Sequence, residues 1–227
     1  MKRDDWEIYR EGDMTGNRFA FSSRSDRLSI AMKFSLMTIC GLDELDGHRT
    51  VGVTHVLSIL DPDFPEPRLF LDFSPHRRTT LRFHDEIEPG PGRSLPQPEH
   101  IAAILEFGRV LPTPAQPGTE THLLVHCHMG LSRSTAAMAA LLAQSHPDED
   151  EDSIFMRLLQ IRPKAWPNCL MVGFADDLLG RRGRLLSALG RLYSEQLKKS
   201  PHLERFMREN GRGREVDMAG GPYLDRR

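Results

Sequence analysis

A short run near the middle of the chain combines a nucleophile, an anion ligand and a hydroxyl group. It extends from His126 to Ser134 (HCHMGLSRS), so that five residues separate Cys127 from Arg133. An arginine guanidinium can bind two oxygens of an oxyanion at once, and a cysteine thiolate is a strong nucleophile. This spacing indicates nucleophilic attack by Cys127 on an anion that Arg133 holds.

The residues on either side of the run should turn it into an anion site. The segment His122–His126 (HLLVH) is typical of a short buried strand, and Ser134–Gln144 is so rich in Ala, Leu and Met that it predicts a buried helix. A tight loop between them would point its N–H groups inward as a nest for an anion, and the helix N-terminus would add its dipole. The residues expected to bind phosphate are His128, Met129, Gly130, Leu131, Ser132 and Arg133.

Two further residues of the run have predicted roles. Gly130 allows the positive φ that a tight loop needs. Ser134 lies in the first helical turn, where its hydroxyl can hydrogen-bond the sulfur of Cys127 and help it leave. The inward N–H groups and Arg133 favour the thiolate form of the cysteine.

Departure of a leaving group also needs a proton donor, and Asp85 is the candidate. It directly follows the predicted strand Thr79–His84. Because the carboxyl ends of parallel strands share one edge of a sheet, Asp85 and Cys127 should face one pocket. The rival acids are Glu86, Asp72 and Asp63.

The remaining pattern predicts a single α/β domain with a central, largely parallel sheet flanked by helices. Further strands are predicted within Leu28–Cys40, at Val51–Leu60 and at Arg68–Phe73. Helices are predicted at Pro98–Leu111, Asp150–Ile161, Asn168–Leu179 and Leu185–Lys199.

The chain divides into four predicted segments. Residues 1–27 form a loosely ordered N-terminal extension, and residues 28–182 form the catalytic domain. Residues 183–210 form a C-terminal helical extension, and residues 211–227 form a disordered tail.

Composition excludes several classes of protein. A formal net charge of -2 over 227 residues disfavours a nucleic-acid binder. No segment approaches the roughly 18 consecutive apolar residues of a membrane span, and no signal-peptide core follows Met1. Three cysteines do not make a disulfide framework. We therefore expect a cytoplasmic protein without a membrane or nucleic-acid partner.

The other cysteines and the flanking histidines have plainer expected roles. Cys40 and Cys169 are predicted to be small core residues, although either could instead be a resolving thiol for oxidised Cys127. His126 should hydrogen-bond the loop backbone, and His128 should face the pocket mouth. No nearby Cys or His pair completes a tetrahedral site, so neither a metal nor a cofactor is expected.

These residues match a known signature. The run from Cys127 to Ser134 resembles the Cys-x5-Arg-Ser/Thr motif of protein tyrosine phosphatases, and HCHMGLSRST resembles that of short bacterial phosphatases of the dual-specificity type. Gly52–Ile59 resembles the family's early core strand, Asp85–Pro89 its acid loop, and Arg162–Asn168 its Arg-x-x-x-x-Pro-Asn segment. Within that segment, the supporting residue Asn168 either orders a loop beside the pocket or caps a helix.

The resemblance implies a P-loop hydrolase that acts on a phosphorylated protein or peptide through a phosphocysteine on Cys127, with Asp85 as general acid and base. Phosphotyrosine is favoured, and phosphoserine and phosphothreonine remain open. A phosphatase of lipid or small-molecule phosphates is less favoured, because residues 128–132 include no lysine or arginine. A catalytically silent phosphate-binding module, a sulfur transferase and an arsenate reductase would each use a similar loop and are disfavoured too.

Overall fold

A four-stranded sheet, parallel throughout, lies at the centre of the computed structural model, which describes residues 36–111 and 121–221. Its order is β1-β4-β2-β3. Because every strand runs in the same direction, all four carboxyl ends share one edge. The predicted fold class is confirmed. The strands are β1 (Leu36–Cys40), β2 (His55–Leu60), β3 (Arg77–Arg82) and β4 (His122–His126).

Seven α-helices are present in the described part of the chain, and none is long and apolar enough to cross a membrane. The five helices predicted from the sequence pattern between residues 98 and 199 are confirmed to within one residue at each end. The helices are α1 (Pro98–Val110), α2 (Arg133–Ser145), α3 (Glu151–Ile161), α4 (Cys169–Leu178), α5 (Arg184–Lys199), α6 (His202–Glu209) and α7 (Gly213–Ala219).

The two faces of the sheet are covered differently. Side chains alternate along β2, so that Leu57 and Ile59 join the larger core beneath the α-helices, whereas Val56 joins a smaller core on the opposite face. Two short 3-10 helices, Leu42–His48 and Arg68–Asp72, cover that smaller core. Both faces are thus buried, as is usual for a parallel sheet.

The strand predicted at Arg68–Phe73 is wrong. A 3-10 helix repeats every three residues, so Phe70 and Phe73 both turn onto the smaller core, while Leu71 is 85% exposed. The apolar run therefore covers the sheet instead of joining it.

Helix α2 is the central helix, as its composition predicts. Every residue from Arg133 to Ala143 is buried, and the helix packs against α1, α3 and α4 as well as the sheet. The alanines allow this close approach on several sides. The consequence is that the start of α2, which follows the nucleophile loop, is held firmly from all directions.

The C-terminal prediction needs correction. Residues 211–221 are not a disordered tail, because α7 forms there with Glu215, Val216 and Met218 buried. The predicted N-terminal extension, residues 1–27, and the first part of the predicted Leu28–Cys40 strand lie outside the described residues, as do residues 222–227.

The Arg181 side chain links the end of α2 to the start of α3. Its guanidinium is buried and donates to the carbonyls of Ala143 (2.7 Å) and His146 (2.8 Å) at the end of α2. It also donates to the carbonyl of Glu149 (3.0 Å) and the carboxylate of Glu151 (3.1 Å). One side chain thus satisfies carbonyls that the helix end leaves unpaired.

We expect Arg181→Met to lower the free energy of unfolding by about 3 kcal/mol. The substitution removes the hydrogen-bond donor to three carbonyls and one of the donors to the buried carboxylate of Glu151. The control is Arg191→Met, which removes an exposed pair with Asp152 and should cost less than about 1 kcal/mol. Denaturant unfolding measures both. Equal losses in the two variants would contradict the role assigned to Arg181.

Candidate active site

The loop between β4 and α2 bends sharply at Gly130. This residue has φ of 67°, and a Cβ placed on it would lie 2.4 Å from the carbonyl carbon of Cys40 and 2.6 Å from the nitrogen of Gly41. Both the backbone conformation and the close approach of β1 therefore require glycine here. The prediction of a positive φ at Gly130 is confirmed.

Side chains and backbone from elsewhere hold the outer side of this loop. Arg162 donates from Nε to the carbonyl of Gly130 (3.0 Å) and from a terminal nitrogen to that of Met129 (3.3 Å). The N–H of Leu42 donates to the carbonyl of His128 (2.9 Å). The carbonyls of the loop are thus bound on its outer side.

The inner side of the loop offers unused donors. The described residues supply no hydrogen-bond acceptor for the backbone N–H groups of residues 128–132. Buried N–H groups are rarely left unpaired in proteins. A run of such groups at the start of a helix is the arrangement that binds an anion.

Cys127 lies at the bottom of this loop. Its side chain is only 2% exposed, and its Sγ lies 3.2 Å from Oγ of Ser134. The hydroxyl can donate to a thiolate at this distance, which is the contact that the sequence predicts for Ser134.

Arg133 is buried beside the nucleophile. One terminal nitrogen donates to Oδ1 of Asp61 and to the carbonyl of Phe83, both at 2.6 Å. Its Nε is buried and has no hydrogen-bond partner among the described residues. A buried donor without a partner is costly, so this edge of the guanidinium is suited to a bound oxyanion.

Asp61 is a site residue that the sequence interpretation missed. It follows β2 directly, as Asp85 follows the predicted strand Thr79–His84, so the same rule about strand ends could have found it. Its carboxylate pairs with one terminal nitrogen of the Arg133 guanidinium and leaves Nε unused.

Asp85 lies in the same pocket as Cys127, as predicted. Its Oδ1 accepts hydrogen bonds from Oγ of Ser132 (2.7 Å), Nδ2 of Asn168 (3.0 Å) and a terminal nitrogen of Arg212 (3.1 Å). Burial alone would raise the pKa of Asp85, but the charges of Arg212 and Arg133 and the two neutral hydrogen bonds lower it to below its ordinary value.

Asn168 performs both of the roles that the sequence left open. Its Oδ1 accepts from the N–H of Met171 (3.1 Å) and caps α4. Its Nδ2 donates to Asp85 and to the carbonyl of Glu86 (3.2 Å). The start of α4 and the loop that carries the acid are therefore tied together by one side chain.

The two histidines of the run lie in different environments. Burial lowers the pKa of His126 to about 3, and the neutral ring contacts Oγ of Ser58 (2.7 Å) and, weakly, the carbonyl of Cys127 (3.4 Å). His128 lines the pocket and packs in a tilted arrangement against Phe64, with ring centroids 4.6 Å apart.

Two of the rival acids and both other cysteines lie outside the pocket. Asp63 and Asp72 are exposed, whereas Glu86 lines the pocket and pairs with Arg93. Cys40 and Cys169 are buried in the core, as predicted, and unpaired. Among residues 36–111 and 121–221, no cluster of three His, Cys, Asp or Glu side chains could hold a metal ion.

The pocket has a volume of about 620 Å³. Cys127, Arg133 and Asp85 line it together with several apolar side chains and with charged residues such as Arg68 and Arg93. A ligand that joins an anionic group to an apolar body would fit this lining. The apolar wall residues are Leu42, Leu45, Phe64, Leu69 and Met129.

Solved structures similar to this chain include several phosphatases. Human DUSP28 matches with a TM-score of 0.48 and 17% identity over 64% of this chain and 88% of its own. Cydia pomonella PTP-2 phosphatase matches with 0.47 and 17% over 63% and 84%. The Yvh1 phosphatase domain from Chaetomium thermophilum matches with 0.41 and 19% over 66% and 93%.

The sequence comparisons found no match, either to a family model or to a curated protein. All three TM-scores lie below 0.5. The proposed chemistry is therefore based on the geometry of the loop and the pocket.

We expect Gly130→Ala to weaken binding of inorganic phosphate by about tenfold or more, because backbone strain of about 1–2 kcal/mol is joined by a clash with β1. The matched control is Gly52→Ala, which has φ of 70° but no atom within 4 Å of the new Cβ. It should lose stability and keep phosphate affinity. Calorimetric titration checks both, and equal affinities in the two variants would refute the role of Gly130.

Proposed function

We propose that this chain is a cysteine-dependent phosphomonoester hydrolase that acts on phosphorylated proteins or peptides, with phosphotyrosine as the favoured substrate. The observation that carries the proposal is the buried Nε of Arg133, which has no partner among the described residues and lies beside Cys127. Together with the unused N–H groups of residues 128–132, it supports a bound phosphate dianion above the sulfur.

In the first step, the thiolate of Cys127 attacks phosphorus while the bond from phosphorus to the ester oxygen breaks. Asp85, in its protonated form, gives its proton to the departing oxygen, and a phosphocysteine remains. The negative charge that develops on the equatorial oxygens is stabilised by Arg133 and the loop N–H groups.

In the second step, water attacks the phosphocysteine and the Asp85 carboxylate takes its proton. The bond between sulfur and phosphorus breaks, inorganic phosphate forms, and Cys127 leaves as a thiolate. The Ser134 hydroxyl, 3.2 Å from the sulfur, stabilises that thiolate by donating a hydrogen bond.

The substrate preference rests on the walls of the pocket. Phe64, Leu42 and Met129 line the same pocket as Cys127, and apolar lining favours an aromatic ring over a short serine or threonine side chain. The absence of lysine and arginine at positions 128–132 argues against polyphosphorylated lipids and inositols.

One observation favours a second candidate, a phosphate-binding module without turnover. In this structure the neighbours of Asp85 lower its pKa, which favours the form that cannot donate a proton. Such a site would bind phosphate and leave the ester intact. Both candidate functions include phosphate binding, but only the first includes hydrolysis of the ester.

We expect wild-type protein to hydrolyse p-nitrophenyl phosphate in the presence of EDTA and Cys127→Ser to lose that activity entirely. The control is Cys169→Ser, which replaces a buried thiol outside the pocket and should keep the activity. Full activity in Cys127→Ser would rule out the proposed nucleophile. Phosphate binding by an inactive wild type would favour the silent module.

We expect Asp85→Asn to lower kcat by about 10²–10⁴-fold for phosphotyrosine, whose phenolate is a strong base, and by less for p-nitrophenyl phosphate. Asp63→Asn replaces an exposed acid outside the pocket and should change neither rate. Equal losses for both esters in Asp85→Asn would argue against a proton-donor role.

The same assignment predicts a pH profile. The protonated fraction of Asp85 falls as pH rises, and its lowered pKa moves this fall toward acid. Activity of the wild type should therefore be highest on the acid side of the ordinary aspartate range and decline as pH rises through the lowered pKa of Asp85. In Asp85→Asn the decline on the alkaline side should disappear.

A further inference from the structure

Arg212, between α6 and α7, extends from the C-terminal segment into the proposed active site. One terminal nitrogen donates to Oδ1 of Asp85 (3.1 Å) and the other to Oγ of Ser132 (3.0 Å). The Ser132 hydroxyl donates in turn to the same oxygen of Asp85 (2.7 Å). The three side chains form a closed triangle that joins the acid loop, the nucleophile loop and the C-terminal segment.

A second buried carboxylate holds Arg212 from behind. Glu215 accepts from Nε (2.9 Å) and from a terminal nitrogen (2.7 Å) of Arg212. It is fully buried and also accepts from Nε1 of Trp166 (2.6 Å) and from the backbone N–H of Cys169 (2.9 Å). All three guanidinium nitrogens of Arg212 are therefore engaged by other side chains.

The segment that carries Arg212 is anchored in the main core. Leu203 and Met207 of α6 are buried there, as are Val216 and Met218 of α7. The backbone N–H of Arg212 donates to the carbonyl of Met207 (2.8 Å). With only 4% of its side chain exposed, the guanidinium is held in place by packing as well as by hydrogen bonds.

The charge around Asp85 comes from several elements. Arg212 stays cationic, because Glu215 and Asp85 hold its pKa well above the ordinary value despite burial. Arg133, at the start of α2, adds a second positive charge. The other titratable groups around the pair include His84, Glu86, His128, Cys127, Asp61 and Glu215, and also Tyr193 of α5 and Cys169 of α4.

We propose that Arg212 is a positioning residue that fixes the Asp85 carboxyl beside the nucleophile loop, so that helices α6 and α7 form part of the active site. The inference rests on the proposed function, in which Asp85 is the general acid and base. It assigns a role to a segment that the sequence interpretation treats as a helical extension and a disordered tail.

The direction of the effect follows from the charges. An adjacent arginine lowers the pKa of an aspartate by about 1–3 units, so replacing Arg212 by a neutral side chain should raise the pKa of Asp85 by that order. Asp85 would then stay protonated to higher pH, and the alkaline decline in activity would move upward. Lysine at this position would keep the charge.

The test is a ¹³C NMR titration of aspartate carboxyls in wild type, Arg212→Met and Arg212→Lys, with Asp85→Asn to assign the signal. We expect an upward shift of about 1–3 pH units in Arg212→Met and a much smaller one in Arg212→Lys. The matched control is Arg205→Met, an exposed arginine of α6 paired with Glu209, which should leave the signal unchanged.

The pH profile of phosphotyrosine hydrolysis is a second measurement. The midpoint of its alkaline limb should shift by the same number of pH units as the titration of the Asp85 carboxyl. If Arg212→Met fails to fold because Glu215 loses its partner, the double variant Arg212→Met with Glu215→Gln removes both charges of the buried pair. The same upward shift is expected in it.

An unchanged titration of Asp85 in the folded neutral variant would overturn the proposal, and so would an equal shift in Arg205→Met. The titration needs no turnover, so it is independent of the Cys127→Ser result. An active wild type with an unmoved carboxyl signal would refute the role of Arg212 and leave the proposed function standing.

Discussion

The buried guanidinium of Arg133 sets the conditions for the rest of the site. A cation taken out of water costs several kcal/mol unless its neighbours compensate for the lost hydration. Here Asp61 and the carbonyl of Phe83 compensate on one side, and Nε remains for an anion. These groups can meet because every strand of the sheet ends at the same edge, where the start of α2 also lies. The nucleophile loop is the connection between the sheet and that helix.

Much of the fold could be predicted because local patterns determine it. The strand β4 and most of the helix α2 are buried, so their central residues are apolar and their limits are sharp. The segment Arg68–Phe73 is equally apolar, but its aromatic residues are three apart and suit a 3-10 helix over the sheet. The prediction of a disordered tail was wrong for a different reason. Its glycines and arginines suggest disorder, and the contacts that bury Glu215 include Trp166 and Cys169, which are far away in the sequence.

Some residues of the candidate site could likewise be predicted from the sequence, and others could not. Cys127, Arg133 and Ser134 lie within eight consecutive residues, so the chemistry of the loop is visible in the sequence. Asp85 required one further rule, that parallel strands end at a common edge. Arg212 left no signal, because it is 127 positions from its partner Asp85 and nothing in its local sequence indicates burial.

The long sequence separations within the pocket have a consequence for how it assembles. Asp61 meets Arg133 across 72 positions, and Asp85 meets Asn168 across 83. Contacts of this range close large loops, and they form late because the entropy of closure comes before the stabilisation. The sheet closes loops of the same length, since Leu36 of β1 pairs with His122 of β4, so the sheet and the pocket depend on contacts of similar range. Local opening of α6 and α7 would release Arg212 from Asp85 while the sheet and the nucleophile loop stay formed.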